Sequence, residues 1–467
     1  MYYESLLKTI MQGQALRAPS MKNEPAFYRR LEQSMDVARG KKSLTTLKPR
    51  WEDDVLDLTS SDFLSLSRSG RIRTAFLDEL ASCGDFRLSA SGSRTQYGNY
   101  DYLNVAEKEI AAFHHSETAW ICHSGFLANM AVLESVPLPG DAIIWDEFSH
   151  ASTNLGVKLS SAAHKLSFQH NSVDSLRDVL TGLMTTDATF RTGKKSILIC
   201  VESIYSMDGD ICPLASFVEL AKELFPAGNA QFIMDEAHSS GILGPNGAGL
   251  VQALGLEKEI AIRIHVCSKA LGATGGVILC NNTIRSAIIQ NSRALTYSGA
   301  PSVPMVASIR AGYRLLSTGV VQKEQAHVQA IVKYFFERIL DHPMWQEAMD
   351  SGLIAVPLAD EWEARPYQSH IVPLRCRDQQ EQYLFCHLAI ANMNAYPISY
   401  PTVPKGAGRI RLVFHAHNSR EDVDRLVAVV SDWVVEMMEI GRNGAKGTIP
   451  SAMRKAYWIQ PSPLKSS

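Results

Sequence analysis

The chain has 467 residues, of which 46% are hydrophobic and 20% charged, which is the balance of an ordinary globular protein. Its formal net charge of −2 gives no reason to expect binding to nucleic acid or to an anionic membrane. No apolar run reaches the roughly 20 residues of a membrane span, because Asp432 and Glu436 interrupt the nearest candidate, Val427 to Ile440. A chain of this length can form two or more domains.

The eight cysteines include no C-x-x-C pair, and several lie within apolar runs, where a free thiol behaves as a small buried hydrophobe. This pattern indicates a reducing compartment rather than a disulfide framework. The N-terminus lacks the charged-then-apolar order of a signal peptide. We therefore expect a cytoplasmic protein.

Residues 1–60 predict a charged, helical N-terminal arm. In residues 61–310, short apolar runs alternate with longer amphipathic ones, which is typical of an α/β domain. Continuous apolar strands are expected where helices cover both faces of a mainly parallel sheet. The seven candidate strands are Ala119–Cys122, Ala142–Trp145, Lys165–Phe168, Ser196–Val201, Gln231–Met234, Ile262–Cys267 and Gly276–Cys280.

Residues 311–440 have a different character and predict a smaller α+β domain. Ile331–Leu340 and Asp422–Met438 have the periodicity of amphipathic helices, and Ile371–Leu374 and Ile410–Phe414 resemble strands. Residues 441–467 are polar and predict a loosely held tail.

A lysine and an Asp-x-x-His pattern follow two neighbouring predicted strands. Lys269 comes just after Ile262–Cys267, and Asp235 with His238 comes at the end of Gln231–Met234. This pairing suits pyridoxal phosphate (PLP) chemistry, because the lysine can hold the cofactor as a Schiff base and the aspartate can keep the pyridine nitrogen protonated.

The other candidate polar residues also fall just beyond the carboxyl ends of predicted strands, the edge at which open α/β sheets bind ligands. In chain order they are Ser124-Gly125-Phe126, His150, His170-Asn171, Ser206, Asp235 and Lys269. Taken singly, each has a structural interpretation that outweighs function: His150 as a surface residue, Asp235 as a helix cap and Lys269 as a solvated lysine. Their shared position and order favour a site.

Ser124 and Gly125 open a predicted helix. Ser124 can cap it, and Gly125 lets an anion such as the cofactor phosphate approach free backbone N–H groups. For this segment alone, a plain strand-to-helix turn is the stronger interpretation. His150 has the position to lay its imidazole against a pyridine ring.

Three further features carry less weight. His415 and His417 alternate on a predicted strand, but no nearby carboxylate or cysteine completes a metal site, and we expect no metal. His114 and His115 are interpreted as exposed residues of a helix. The glycine-rich run 241–249 is not a nucleotide motif and is interpreted as a flexible turn.

From about Ser60 to Arg425 the chain resembles the α-oxoamine synthases, a branch of the fold-type I PLP enzymes. The branch includes 8-amino-7-oxononanoate synthase, 2-amino-3-ketobutyrate CoA ligase, serine palmitoyltransferase and 5-aminolevulinate synthase. The motifs that carry the resemblance are Ser124–Asn129, His150–Ser152, Glu202–Asp210, Asp235–His238, Ser268–Gly272, Pro401–Pro404 and Arg409–Arg411.

The resemblance implies a role for each matching residue. Lys269 is the Schiff-base lysine and proton-transfer base, Asp235 pairs with the pyridinium nitrogen, and His150 stacks on the ring. It further implies cofactor contacts from Gly125, Phe126, Glu202, Ser206, His238, Ser268 and Ser298, the last reaching the phosphate of a second protomer in a homodimer. Arg411 is expected to hold the amino-acid carboxylate, and Thr402 lies on a loop that closes over the substrate.

The resemblance also implies the reaction: condensation of an α-amino acid with an acyl thioester, with decarboxylation, to an α-aminoketone. Departures from the family pattern are Val266, in place of a threonine, Leu103, in place of a histidine, and the segment Ser61–Ser65. The amino acid, the acyl chain and the choice between coenzyme A and a carrier protein stay open. Alternatives are a fold-type I aminotransferase or decarboxylase, and a non-catalytic partner subunit.

Overall fold

The computed structural model describes residues 12–41, 43–47, 54–377, 379–442 and 449–458. The strands are β1 (Leu56–Asp57), β2 (Thr118–Cys122), β3 (Ala142–Asp146), β4 (His164–Phe168), β5 (Ile197–Glu202), β6 (Ala230–Asp235), β7 (Ile262–Val266), β8 (Gly276–Cys280), β9 (Ile354–Ala355), β10 (Ile371–Cys376), β11 (Met393–Asn394), β12 (Tyr396–Ile398) and β13 (Arg409–Val413).

The α-helices of the described chain are α1 (Ala26–Gly40), α2 (Arg71–Ser82), α3 (Asp101–Phe113), α4 (Gly125–Ser135), α5 (Ala151–Leu159), α6 (Val173–Thr186), α7 (Ala188–Arg191), α8 (Leu214–Leu224), α9 (Leu250–Ala253), α10 (Asn282–Asn291), α11 (Arg293–Thr296), α12 (Val303–Ser317), α13 (Gln322–Leu340), α14 (Trp345–Asp350), α15 (Glu381–Ile390), α16 (Arg420–Arg442) and α17 (Ser451–Trp458). Short 3-10 helices cover Ala18–Met21, Pro245–Gly247, Pro357–Ala359 and Trp362–Ala364.

The central sheet has seven strands in the order β2-β8-β7-β6-β5-β3-β4. Strands β4, β3, β5, β6 and β7 run parallel, and β8 runs antiparallel to both β7 and β2. Six strands therefore end at the same edge. The α/β fold with a seven-stranded, mainly parallel sheet is confirmed, and each predicted strand boundary lies within one residue of the observed one.

Both faces of this sheet are covered, as the continuous apolar strands require. Along β5, Ile197, Ile199 and Val201 belong to one hydrophobic core, whereas Leu198 and Cys200 belong to another on the opposite face. Alternate side chains of a strand point to opposite faces, so every position of β5 is buried.

A second core lies in the C-terminal half, around an antiparallel sheet of order β12-β13-β10-β9. Leu56 and Leu58 belong to this core, and β1 pairs in parallel with β11. In contrast, Ile309 and Leu316 of α12 pack in the core of the large sheet. The division of the chain into an arm, two domains and a tail at residues 60, 310 and 440 stays a prediction.

Both ends of the described region contain a helix. Helix α1 lies in the predicted arm and keeps most of its side chains exposed, including Phe27 and Leu31. In the predicted tail, α17 forms a helix whose Ala452 is buried in the second core. The described helices include none with the length and apolar character needed to cross a bilayer.

The interpretation of His114 as an exposed helical residue was wrong. Helix α3 ends at Phe113, and the His114 side chain is buried. Its Nε2 lies 3.1 Å from the hydroxyl of Tyr313, and its ring lies 4.0 Å from that of His265. Burial holds the pKa of His114 well below its usual range, so it is a neutral core histidine. His115 is exposed, as expected.

The predicted strand position of His415 and His417 also needs correction. Strand β13 ends at Val413, so His415 and His417 lie in the segment after it, where they contact the hydroxyls of Ser60 and Ser65. In the described chain, no group of three or more His, Cys, Asp or Glu side chains is placed to hold a metal ion.

The turn 241–249, interpreted from the sequence as flexible, is largely buried and tied down by hydrogen bonds. The carboxylate of Glu236 accepts hydrogen bonds from the backbone N–H groups of Leu250 and Val251, at 2.8 and 2.9 Å. A Cβ at Gly249 would come within 2.5 Å of Glu236 Oε2, so glycine is required for this close approach.

Candidate active site

Lys269 and His238 are brought together at the shared strand edge. Lys269 follows β7, His238 follows β6, and the Lys269 Nζ lies 2.7 Å from His238 Nε2. Burial holds the pKa of His238 well below its usual range, and the nearby Lys269 lowers it further. The imidazole is therefore neutral, and its Nε2 accepts the hydrogen bond from the lysine.

The amine of Lys269 has the electrostatics of a reactive lysine. Burial lowers its pKa to about 8, although the negative charges of Asp235 and Glu202 act in the opposite direction. A sizeable fraction of the amine is then neutral near physiological pH, which is the form that attacks a carbonyl or accepts a proton.

Asp235, the last residue of β6, is buried and held at both carboxylate oxygens. Oδ1 accepts from the backbone N–H of Ala237 at 2.9 Å, and Oδ2 accepts from the side-chain amide of Asn129 at 2.7 Å. Asn129 also donates to the Ser152 hydroxyl at 3.2 Å. These bonds fix the orientation of the carboxylate from two directions.

His150 caps the N-terminus of α5 and is oriented by its neighbours. Its Nδ1 lies 2.7 Å from the Ser152 hydroxyl, and its backbone N–H donates to the carboxylate of Glu202. The Phe126 ring lies edge-on at 6.0 Å. Burial, reinforced by the charge of Asp235, raises the pKa of Glu202 to about 8.

The start of α4 has the features of an anion site. Ser124 caps the helix by accepting from the Leu127 N–H at 3.1 Å, as its sequence position indicates. The N–H groups of Gly125 and Phe126 bond to no acceptor in the described chain. A Cβ at Gly125 would come within 2.2 Å of Val266 Cγ2, so only glycine fits between this helix start and β7. The side chain of Val266 occupies that space.

Arg411 lies on β13 of the antiparallel sheet, and its Nε donates to the backbone carbonyl of Ser206. Burial lowers its pKa to about 10, which leaves the guanidinium charged. Among the described residues no carboxylate lies within ion-pair distance of it, whereas its neighbour Arg409 pairs with Asp208. Arg411 is therefore suited to an incoming carboxylate.

The structure does not bring every expected residue into contact with this group. Ser268 is exposed, Ser298 is half-buried, and neither bonds to another candidate residue in the described chain. Thr402 is exposed, and its backbone N–H donates to the Ser399 carbonyl at 3.1 Å.

Sequence reasoning assigned no role to Asn129, although it lies within a quoted motif. It stands four residues after Gly125, and residues at this spacing share one face of a helix, so the helix that begins at Gly125 also carries Asn129 to Asp235. Ser152 likewise lay within a quoted motif without a role of its own. His170 was among the candidate residues at the strand ends, but its partner Asp146 was not.

Residues 53–430 match the family model described as aminotransferase class I and II. The chain belongs to this family. The aminoacyl transferase sphA of Byssochlamys spectabilis is 46% identical over 97% of this chain and 97% of its own length. The 8-amino-7-oxononanoate synthase of Emericella nidulans is 37% identical, covering 82% of this chain and 90% of that protein.

A solved serine palmitoyltransferase from S. paucimobilis, with a bound PLP–myriocin aldimine, shares the fold with a TM-score of 0.71. It is 21% identical and covers 89% of this chain and 100% of its own. Together these matches place the chain in the α-oxoamine synthase branch, and its cofactor is PLP. The residues present fit that cofactor, because a lysine of depressed pKa, a fixed buried carboxylate and a free helix N-terminus meet at one edge.

Proposed function

We propose that the protein condenses an α-amino acid with an acyl thioester and, with loss of carbon dioxide, forms an α-aminoketone. The membership in the α-oxoamine synthase branch supports this reaction. The observation that carries it is the 2.7 Å contact between Lys269 Nζ and His238 Nε2, beside the fixed carboxylate of Asp235.

PLP, when bound, withdraws electrons from the α-carbon of the amino acid. We assign Asp235 to the pyridine nitrogen, where a carboxylate favours the protonated form, and His150 to the face of the ring. His238 and Ser206 are assigned to the ring oxygen. The carboxylate of Glu202 supports His150 by accepting a hydrogen bond from the backbone N–H of His150.

Lys269 is the proposed anchor for PLP and the base that removes the α-proton. The neutral imidazole of His238 can accept a hydrogen bond from the Lys269 amine. Because it carries no positive charge, it does not repel the amine in its protonated form. Returning the proton from Lys269 to the α-carbon after loss of carbon dioxide completes the cycle.

The substrate and phosphate ends are assigned to different elements. Arg411 binds the amino-acid carboxylate as a bidentate pair, and Thr402 lies on the covering loop. Gly125, Phe126 and Ser268 bind the phosphate, with Ser298 contributed across a homodimer.

The acyl donor is an acyl thioester of coenzyme A or of an acyl carrier protein, and the site of action is the cytoplasm. The relative named an aminoacyl transferase matches 97% of the chain, more than the 82% matched by the 8-amino-7-oxononanoate synthase. This favours an acyl substrate other than that of the latter enzyme.

The test is a panel of amino acids and acyl-CoA thioesters given to the PLP-loaded protein. Condensation releases one free thiol and one carbon dioxide for each aminoketone. An aminotransferase would instead produce an oxo acid, and a decarboxylase would release carbon dioxide without thiol. Either of those outcomes contradicts the proposed reaction.

A further inference from the structure

His170 follows β4 and lies between two carboxylates. Its Nδ1 is 2.8 Å from Asp146 Oδ1, and its Nε2 is 2.6 Å from Asp210 Oδ2. Burial alone would lower the pKa of His170, but the hydrogen bonds to Asp146 and Asp210 raise it to about 10. Both ring nitrogens therefore donate, and the side chain is an imidazolium at neutral pH.

The first carboxylate belongs to the segment that carries His150. Asp146 Oδ1 also accepts from the Phe148 N–H at 2.9 Å, and the Phe148 ring stacks on His170 at 4.6 Å. The backbone N–H of His170 donates to Glu147 Oε1 at 3.0 Å. His170 thus contacts three consecutive residues of the segment 146–149, which leads directly into His150.

The second carboxylate belongs to the loop that carries Ser206. The Asp210 carbonyl accepts from the Tyr205 N–H at 3.1 Å, and the Tyr205 ring meets His170 edge-on at 4.4 Å. Asn171 adds a second donor to Asp210 Oδ2, at 2.7 Å. The loop between Tyr205 and Asp210 is therefore tied to the same imidazole.

We propose that His170 is a positioning residue that holds the His150 segment and the Ser206 loop in one fixed arrangement for binding PLP. The proposal rests on the proposed cofactor roles of His150 and Ser206. Its physical basis is charge-assisted bonding, in which one cation joins two anions that would otherwise repel each other. His170 itself is not assigned any contact with the cofactor.

The experiment compares PLP affinity, the visible circular dichroism of bound PLP, and turnover in His170→Ala, His170→Gln and wild type. Both variants should bind PLP at least about tenfold more weakly than wild type, because loss of a group that orients binding residues typically lowers affinity by that much. Turnover should fall by about 100-fold or less, as expected when binding groups are slightly misplaced. The dichroism band should change in shape because the surroundings of the ring are altered.

Matched variants separate positioning from general destabilisation. His115→Ala removes an exposed histidine that also pairs with a carboxylate, Glu257, and should leave all three measurements unchanged. In the double variant His170→Gln with Asp210→Asn, one of the two facing negative charges is removed. Part of the lost PLP affinity should then return.

Unchanged PLP affinity and dichroism in His170→Gln would overturn the proposal, as would a double variant no better than the single one. If His170→Ala does not fold, His170→Gln and the double variant decide the question. Failure of the wild type to bind PLP would instead refute the proposed function, so the two failures are distinguishable.

Discussion

At the scale of single residues, the electrostatics of Lys269 follow from its surroundings. Burial lowers the pKa of its amine from 10.5 to about 8, and the charge of Asp235 limits this decrease. Only the neutral amine reacts with the aldehyde of PLP, so the reactive fraction increases as the pH rises through the pKa.

The rate at which the apo-protein takes up PLP should therefore rise with pH, with a midpoint of about 8. Asp235→Asn removes a negative charge that raises this pKa, so the midpoint should move to lower pH. The measurement is stopped-flow absorbance, with a free lysine analogue as reference. A midpoint equal to that of the analogue would contradict the assigned environment of Lys269.

Asp235→Asn should retain bound PLP but lower turnover by about 100-fold or more. The reason is that the carboxylate keeps the pyridine nitrogen protonated, and removal of one such fixed stabilising group typically slows a reaction by roughly that factor. PLP content and aminoketone formation are measured on the same sample. Glu223→Gln, which breaks an exposed pair with Arg177, is the matched control and should be neutral. An Asp235→Asn protein with normal turnover would remove Asp235 from its proposed role.

Contacts between distant residues explain what the sequence did not reveal at this scale. Asn129 and Asp235 are 106 positions apart, and His114 and Tyr313 are 199 positions apart. A histidine in an amphipathic run gives no sign of a partner so far along the chain. The positions of Lys269, Asp235 and His238 were predictable because strand ends are marked by the change from apolar to polar residues.

At the scale of elements, the junction between α4 and β7 is the tightest part of the site. Gly125→Ala would place a Cβ within 2.2 Å of Val266 Cγ2, so the helix start must move. Overpacking of this kind costs about 1–3 kcal/mol, and we expect PLP binding to weaken by a similar free energy.

Val266→Ala in the same protein should restore much of the PLP affinity of Gly125→Ala, since it removes the clashing methyl groups. Gly182→Ala in α6, where nothing lies within 4 Å, is the control and should be neutral or slightly stabilising. Titration with PLP gives the affinity of wild type, Gly125→Ala, the double variant and Gly182→Ala. A harmless Gly125→Ala would show that the helix start is not a phosphate site.

Strands such as β5 and β8 were predictable because each is a continuous apolar run buried on both faces. Strand β4 lies at the edge of the sheet, and most of its side chains are half-buried or exposed. The short strands β1 and β11 were not, since two residues carry no periodic signal. Their pairing also joins the beginning of the chain to its C-terminal half, which no local pattern indicates.

At the scale of the whole molecule, the Glu202–Asp210 loop joins the large sheet to the antiparallel sheet of β9, β10, β12 and β13. Asp208 accepts from Arg409, whose side chain is 1% exposed, and lies 2.7 Å from Arg375. Gly209 has a φ of +72°, and a Cβ there would come within 2.0 Å of the Ile371 carbonyl. The same loop therefore presents Ser206 to the site and bonds to the sheet that carries Arg411.

Asp208→Asn should lower the free energy of unfolding by about 3 kcal/mol, because it leaves the buried Arg409 without a charged partner. Asp424→Asn breaks an exposed pair with Arg338 and should cost less than about 1 kcal/mol. Urea unfolding compares the two variants. Equal costs would mean that the loop does not join the two sheets energetically.

We propose that PLP is attached covalently to Lys269 and to no other lysine, and borohydride reduction tests this most directly. Borohydride reduction of the PLP-loaded protein, followed by proteolysis and mass spectrometry, identifies the modified residue. We expect a single reduced adduct, on the peptide that contains Lys269. An adduct on another lysine, or none at all, would contradict it.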